Sequence, residues 1–98
     1  MTRKKRHIPV ISFNELELKQ KKRQVYTSLI EGVSEAIKTK KSEIRLCEVK
    51  HTNSYITVHK DMWSDSLAKA MDFYIQKEEY EKCSKIKNLI NKIDGKQN

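Results

Sequence analysis

Two helical stripes joined by a short polar link occupy the C-terminal third of the chain, and they limit its fold more than any other feature. Trp63, Leu67, Ala70, Met71 and Tyr74 recur at steps of three and four, so on a helix of about 3.6 residues per turn they fall within about 100° of one another. From Tyr80 onward Cys83, Ile86, Ile90 and Ile93 repeat that spacing, and Leu89 widens the face to about half the circumference. A face that wide needs more than one neighbour. Gln76-Lys77-Glu78-Glu79 stands between the stripes, too short for anything but a tight connection, so the two helices are expected to lie antiparallel. Its acidic residues suit the start of the second helix, where exposed backbone N–H groups favour negative charge.

Upstream the period changes. Ile44 to Val49 and Tyr55 to His59 alternate apolar and polar residues around Lys50-His51-Thr52-Asn53-Ser54, which predicts a two-stranded β-hairpin. Strict alternation places Ile44, Leu46, Ile56 and Val58 on the buried face and Arg45, Cys47, Tyr55, Thr57 and His59 on the exposed one. A lone hairpin is marginal in water, so the apolar face must rest on helices. Asp61 is placed to cap the helix that begins at Trp63.

A first long helix is expected from Phe13. Ser12 and Glu15 form a capping box, with Ile11 and Leu16 at the staple positions. Leu18, Val25, Tyr26, Leu29, Ile30, Val33, Ala36 and Ile37 then share a face, with Lys22 in its middle. A buried unpaired lysine is costly, so Lys19 to Arg23 should overhang the core. Gly32 costs the helix about 1 kcal/mol unless another backbone approaches it closely. Lys38 to Ser42 is a polar break. The fold class is therefore α+β and mostly helical: a long N-terminal helix, a two-stranded hairpin and a C-terminal antiparallel helical hairpin. The expected organisation is a flexible basic arm over 1–10, one small domain over 11–94 with the helical hairpin at 64–94, and a loose tail over 95–98.

Charge is unevenly placed. Residues 1–23 hold eight basic residues against Glu15 and Glu17, a net +6 of the chain's +8. Arg3, Lys4, Lys5, Arg6, Lys19, Lys21, Lys22 and Arg23 are thus the candidates for contact with nucleic acid, against the alternative of a solubility tail. No apolar run approaches the ~20 residues of a membrane span, and Cys47 and Cys83 are too few for a disulfide framework. A soluble cytoplasmic protein is expected, with a single Cys47–Cys83 bridge left open.

The run from Glu78 to Ile90 resembles the UVR motif, a short helical hairpin of bacterial excision-repair subunits and of adaptors in Clp-type protease systems. Tyr80-Glu81, Ile86 and Ile90 match it in position and type. Cys83-Ser84 supplies two small residues where the family prefers alanines, and Lys87-Asn88 stands where it prefers Arg-Asp. The resemblance implies protein docking or pairing of hairpins, which includes a homo-oligomer, and no catalysis in the motif itself.

Catalytic and metal chemistry find little purchase. Cys47, His51, His59, His7 and Cys83 fit no zinc spacing, and Gly32 and Gly95, the only glycines, make no phosphate-cradling loop. Neither enzymatic activity nor a cofactor is expected. Phe73 points about 110° from the centre of its stripe, so it either fills a gap against the hairpin or faces a partner. Phe73, Tyr80 and Leu89 are the candidate partner-binding residues. Three readings stay open: an adaptor docking a protein through the helical hairpin while the basic arm contacts nucleic acid or ribonucleoprotein, a small nucleic-acid-binding protein, and a phage or mobile-element regulator that blocks a host protein.

Overall fold

The computed structural model describes residues 8–12 and 14–95. The chain runs β1 (Val10–Ile11), α1 (Glu15–Gln20), α2 (Lys22–Thr39), β2 (Glu43–Val49), β3 (Tyr55–His59), a 3-10 turn (Lys60–Met62), α3 (Trp63–Gln76) and α4 (Tyr80–Ile93). It is an α+β fold in which α2 lies between a small sheet and the antiparallel pair α3–α4. The core gathers Leu29, Ile30, Val33 and Ala36 of α2, Ile44 of β2, and Trp63, Leu67, Ala70, Tyr74, Ile86 and Leu89 of the helical pair. Burial of each large side chain contributes about 1.5–3 kcal/mol.

The long first helix exists, but in two pieces. Asn14 donates its amide to Ser12 Oγ at 3.4 Å, and α1 begins at Glu15, later than the expected Phe13, a residue outside those described. Lys21 then interrupts the helix with φ −98° and ψ 11°. Its Nζ donates to the Val10 carbonyl at 2.8 Å. The break lets the chain reach the sheet through β1 and still enter α2, so Val10, expected in a loose arm, belongs to the sheet. Met1–His7 and Lys96–Asn98 lie outside the described residues.

Among the described residues the sheet has three strands in the order β1-β2-β3, not two, with β1 parallel to β2 and β2 antiparallel to β3. Glu48 donates to the Pro9 carbonyl at 2.9 Å and Lys50 to that of Ile11 at 2.6 Å. In this ladder the next donor toward the N-terminus would be the amide of residue 9 aimed at the Leu46 carbonyl, and proline has none. Ser28 Oγ supplies the bond instead, at 2.7 Å.

Leu46 is also the extra residue of a bulge. Arg45 pairs with Thr57 and Cys47 with Ile56, so two steps on β2 match one on β3. A bulge reverses the facing of the residues beyond it, and Cys47, expected on the exposed face, is buried at 1% exposure. Leu46 is only half-buried. Arg45, Tyr55, Thr57 and His59 are exposed as expected, with the Arg45 guanidinium 4.5 Å above the Tyr55 ring.

Asp61 does not cap α3. It sits in the 3-10 turn and donates its amide to His59 Nδ1 at 3.3 Å, while the Trp63 indole anchors the helix start by donating to the Val58 carbonyl at 2.9 Å. The α3–α4 link is antiparallel, as Ser64 Oγ to Asp94 Oδ1 at one end (3.4 Å) and Cys83 Sγ to the Met71 carbonyl nearer the other (3.9 Å) require. Glu78 closes α3 in the left-handed region at φ 58°, with its amide on the Ile75 carbonyl at 3.0 Å and that of Glu79 on Tyr74 at 2.9 Å. These two bonds satisfy the last carbonyls of the helix, at a position where glycine is the unstrained residue.

Two measurements test this geometry. Ser28→Ala, which leaves the Leu46 carbonyl without its donor, should lower stability by about 1–3 kcal/mol in denaturant titration. Glu78→Gly should raise it by about 0.5–1 kcal/mol, because relief of left-handed strain exceeds the entropy of the glycine.

Candidate docking site at the tip of the helical hairpin

At the end of α3 an aromatic cluster meets the start of α2. Tyr26 lies 5.3 Å from Phe73 and 6.5 Å from Tyr74 between ring centroids, and Phe73 and Tyr74 stand edge-on at 5.0 Å. Cations cover these rings: Arg23 is 5.6 Å from the Phe73 centroid, Lys77 is 5.5 Å from it, and Lys82 is 5.6 Å from that of Tyr74. Arg23 also grips the Glu79 carboxylate with both terminal guanidinium nitrogens, at 2.8 and 2.6 Å. Glu79 is the residue before α4, so this bidentate pair ties α2 to the turn of the hairpin. The hydrogen bond to Arg23 holds the Glu79 carboxyl below its ordinary range, and the same bond raises Arg23. Burial, reinforced by the charge of Asp72, pushes the Tyr26 hydroxyl up.

The other side of the hairpin is bare. Around the α3 axis Met71 and Ile75 fall on one side of buried Tyr74 and Phe73 on the other, and around α4 Cys83 and Tyr80 fall on one side of buried Ile86. The contact of Cys83 with Met71 shows that these are the same side of the hairpin. Half-buried Met71 and Cys83 thus lead into Ile75 and Tyr80, which flank the turn at 45% and 61% exposure. Glu78 and Glu81 beside them are also exposed.

The residues singled out from sequence divide sharply. Tyr80 is exposed where a partner could meet it. Leu89 is 5% exposed and packs in the core, because the α4 face is wide enough to serve both α3 and α2. Phe73 is half-buried and fills a gap, though against Tyr26 of the first helix and not against the β-hairpin. Lys19 and Lys22 are exposed; Lys21 is bonded to Val10 and Arg23 to Glu79, so the overhanging cationic turn is half engaged. Arg3, Lys4, Lys5 and Arg6 lie outside the described residues. Ile75 was missed, although its position about 100° from the stripe, the mirror of Phe73, marks it as an apolar residue off the core. Cys47 and Cys83 are free thiols, and burial raises the pKa of Cys47. Among the described residues no three His, Cys, Asp or Glu side chains gather as metal ligands, and no helix is long and apolar enough to cross a membrane.

Phe73→Ala should lower stability by about 2 kcal/mol, less than a fully buried phenylalanine would, whereas Tyr80→Ala should shift it by no more than about 0.5 kcal/mol. Thermal unfolding of the two variants checks this. Since the carboxyl of Glu79 is depressed in the folded state, its contribution is complete above about pH 4.3 and is lost as pH falls through the lower folded value. Ring-proton shifts of Phe73 followed by NMR should stay constant from pH 7 down to about pH 4 and move only below it.

No family model, curated protein or solved structure matches the chain.

Proposed function

We propose that the protein is a non-enzymatic cytoplasmic adaptor that docks a protein partner through the tip of its helical hairpin. The observation that carries this is the pairing of Ile75 and Tyr80, two large side chains left in solvent on one side of a hairpin whose other side is fastened to α2 by Arg23 and Glu79. An apolar anchor held on a braced element loses little conformational freedom on binding, which is what a docking residue requires. The exposed Glu78 and Glu81 favour a partner whose apolar pocket is rimmed by basic groups. The likeness of Glu78–Ile90 to the UVR motif supports the same reading, because that motif docks proteins. A partner bound this way is either delivered to a larger complex or blocked, the second being the behaviour of a phage or mobile-element regulator.

Contact with nucleic acid is a second part of the proposal. It rests on Lys19 and Lys22, exposed at the junction of α1 and α2, together with the basic run Arg3–Arg6.

Capture experiments with nuclease-treated extract separate the two. Ile75→Asp and Tyr80→Asp should each abolish recovery of a partner that wild type and Lys19→Glu/Lys22→Glu retain. A partner kept by Tyr80→Asp, or released by nuclease alone, would remove the tip as the docking site. For the cations, Lys19→Ala/Lys22→Ala should flatten the plot of log affinity for duplex DNA against log salt by up to about 2 units, at roughly 0.9 per phosphate contact. An unchanged slope would leave those lysines to solubility.

A further inference from the structure

Strand β3 is an outer strand of the sheet, and among the described residues only β2 pairs with it. Val49 donates to the Ser54 carbonyl at 2.9 Å and Lys60 to that of Ser42 at 2.8 Å, which directs the backbone groups of residues 54, 56, 58 and 60 at β2. By alternation the N–H and C=O of Tyr55, Thr57 and His59 point away from it. An open edge of this kind is usually blunted by a proline, a bulge or a charged side chain. The opposite edge follows that rule, for β1 is two residues long and comes directly after Pro9. Strand β3 does not: Tyr55–His59 holds no proline, lysine, arginine or carboxylate, and the extra residue of the bulge lies on β2.

The side chains of β3 describe what fits against it. Tyr55, Thr57 and His59 are exposed on the outer face, while Ile56 and Val58 turn to the helices yet are only half-buried. They leave an apolar margin along the edge. Residues 53–61 contain one lysine and one aspartate, Lys60 and Asp61, and are thus neutral in a chain of net +8. Laid antiparallel on a copy of itself with Thr57 opposite Thr57, the strand places Tyr55 against His59, Ile56 against Val58 and Lys60 against Ser54 of the copy. No like charges face each other. A register centred on residue 58 would set Lys60 against Ile56 on the apolar margin, and one centred on residue 56 would set Ser54 against Val58 there.

We propose that β3 pairs antiparallel with β3 of a second copy about a two-fold axis at Thr57, joining the two sheets into one. Each outward N–H of Tyr55, Thr57 and His59 then meets a carbonyl of the copy, and the Thr57 pair and the Ile56–Val58 pairs add side-chain contact. Ile56 and Val58 of both copies cover the margin that the helices leave open. A strand of five residues buries less than the ~1,200 Å2 of a stable interface, so the pairing is reversible and depends on concentration. Copies of net charge +8 also repel, and salt that screens this repulsion strengthens the pairing. Contact with phosphate has the opposite salt dependence. The dimer uses neither the hairpin tip nor the lysines at the junction of α1 and α2, so it stands independently of the proposed function.

Sedimentation of the full chain, freed of nucleic acid, tests the pairing. The apparent mass should rise from that of one copy at about 10 µM toward that of two at about 1 mM, the range of a small reversible interface, and the rise should come at lower concentration in high salt. Thr57 stands opposite Arg45 of β2, so Thr57→Glu gains an ion pair within its own sheet while facing its own charge across the axis. Thr57→Glu and Thr57→Lys should each keep a dispersed NMR spectrum and weaken association about tenfold, through loss of a Thr–Thr pair and the opposition of like charges. An equimolar mixture of the two variants should recover the wild-type association, because only pairing at residue 57 sets the two introduced charges against each other. Tyr80→Asp should leave association unchanged. A wild type still monomeric at about 1 mM, a mixture that associates no better than either variant alone, or association abolished by Tyr80→Asp would each overturn the proposal.

Discussion

The apolar face of α2 has to cover two units that cannot stand without it. A β-hairpin of seven and five residues is marginal in water, and two helices of fourteen residues are close to the length at which isolated helices barely form. Each is stable only when its apolar side is covered. Leu29, Ile30, Val33 and Ala36 do this for both, and all four are almost wholly buried. The demand also explains Ser28, a buried hydroxyl on a helix that otherwise offers hydrocarbon: the sheet brings it a carbonyl that Pro9 cannot satisfy.

The same helix sets the posture of the hairpin tip. Arg23 reaches past the aromatic rings to Glu79, and Lys77 and Lys82 complete a cationic cover over Phe73 and Tyr74. Exposed ion pairs contribute little to stability, so the value of this cluster lies in direction. It commits one side of the hairpin to the body of the protein and leaves Ile75 and Tyr80 on the other. Three of the cations that make the chain strongly basic, Arg23, Lys77 and Lys82, are occupied in this way.

Legibility in the residues tracks the strength of their periodicity. The stripes from Trp63 to Tyr74 and from Cys83 to Ile93 are long and regular, and the helical hairpin is where they place it. The hairpin of β2 and β3 was legible from its alternation, but the bulge at Leu46 was not, since a one-residue insertion leaves no local mark and reverses Cys47. Strand β1 is two residues long, too short for any period to show; it is held by partners distant in sequence. The interruption at Lys21 is likewise tertiary in part: like charges at Lys19 and Arg23 weaken the helix there, but the bond from Lys21 to the Val10 carbonyl joins residues that no local pattern relates. In the candidate site Tyr80 was legible as an aromatic at the edge of its stripe. Leu89 was not, because a face spanning half a helix gives no sign of how much of it neighbours will cover.

Native-state hydrogen exchange of Val33→Ala tests the dependence on α2 most directly. If both halves of the fold rest on one face, opening free energies of the slowest amides in β2 and in α4 should fall together by a similar amount, about 2 kcal/mol for loss of a buried branched side chain. A fall in β2 with α4 unchanged, or the reverse, would show that sheet and helical hairpin are separately stable and that α2 does not unite them.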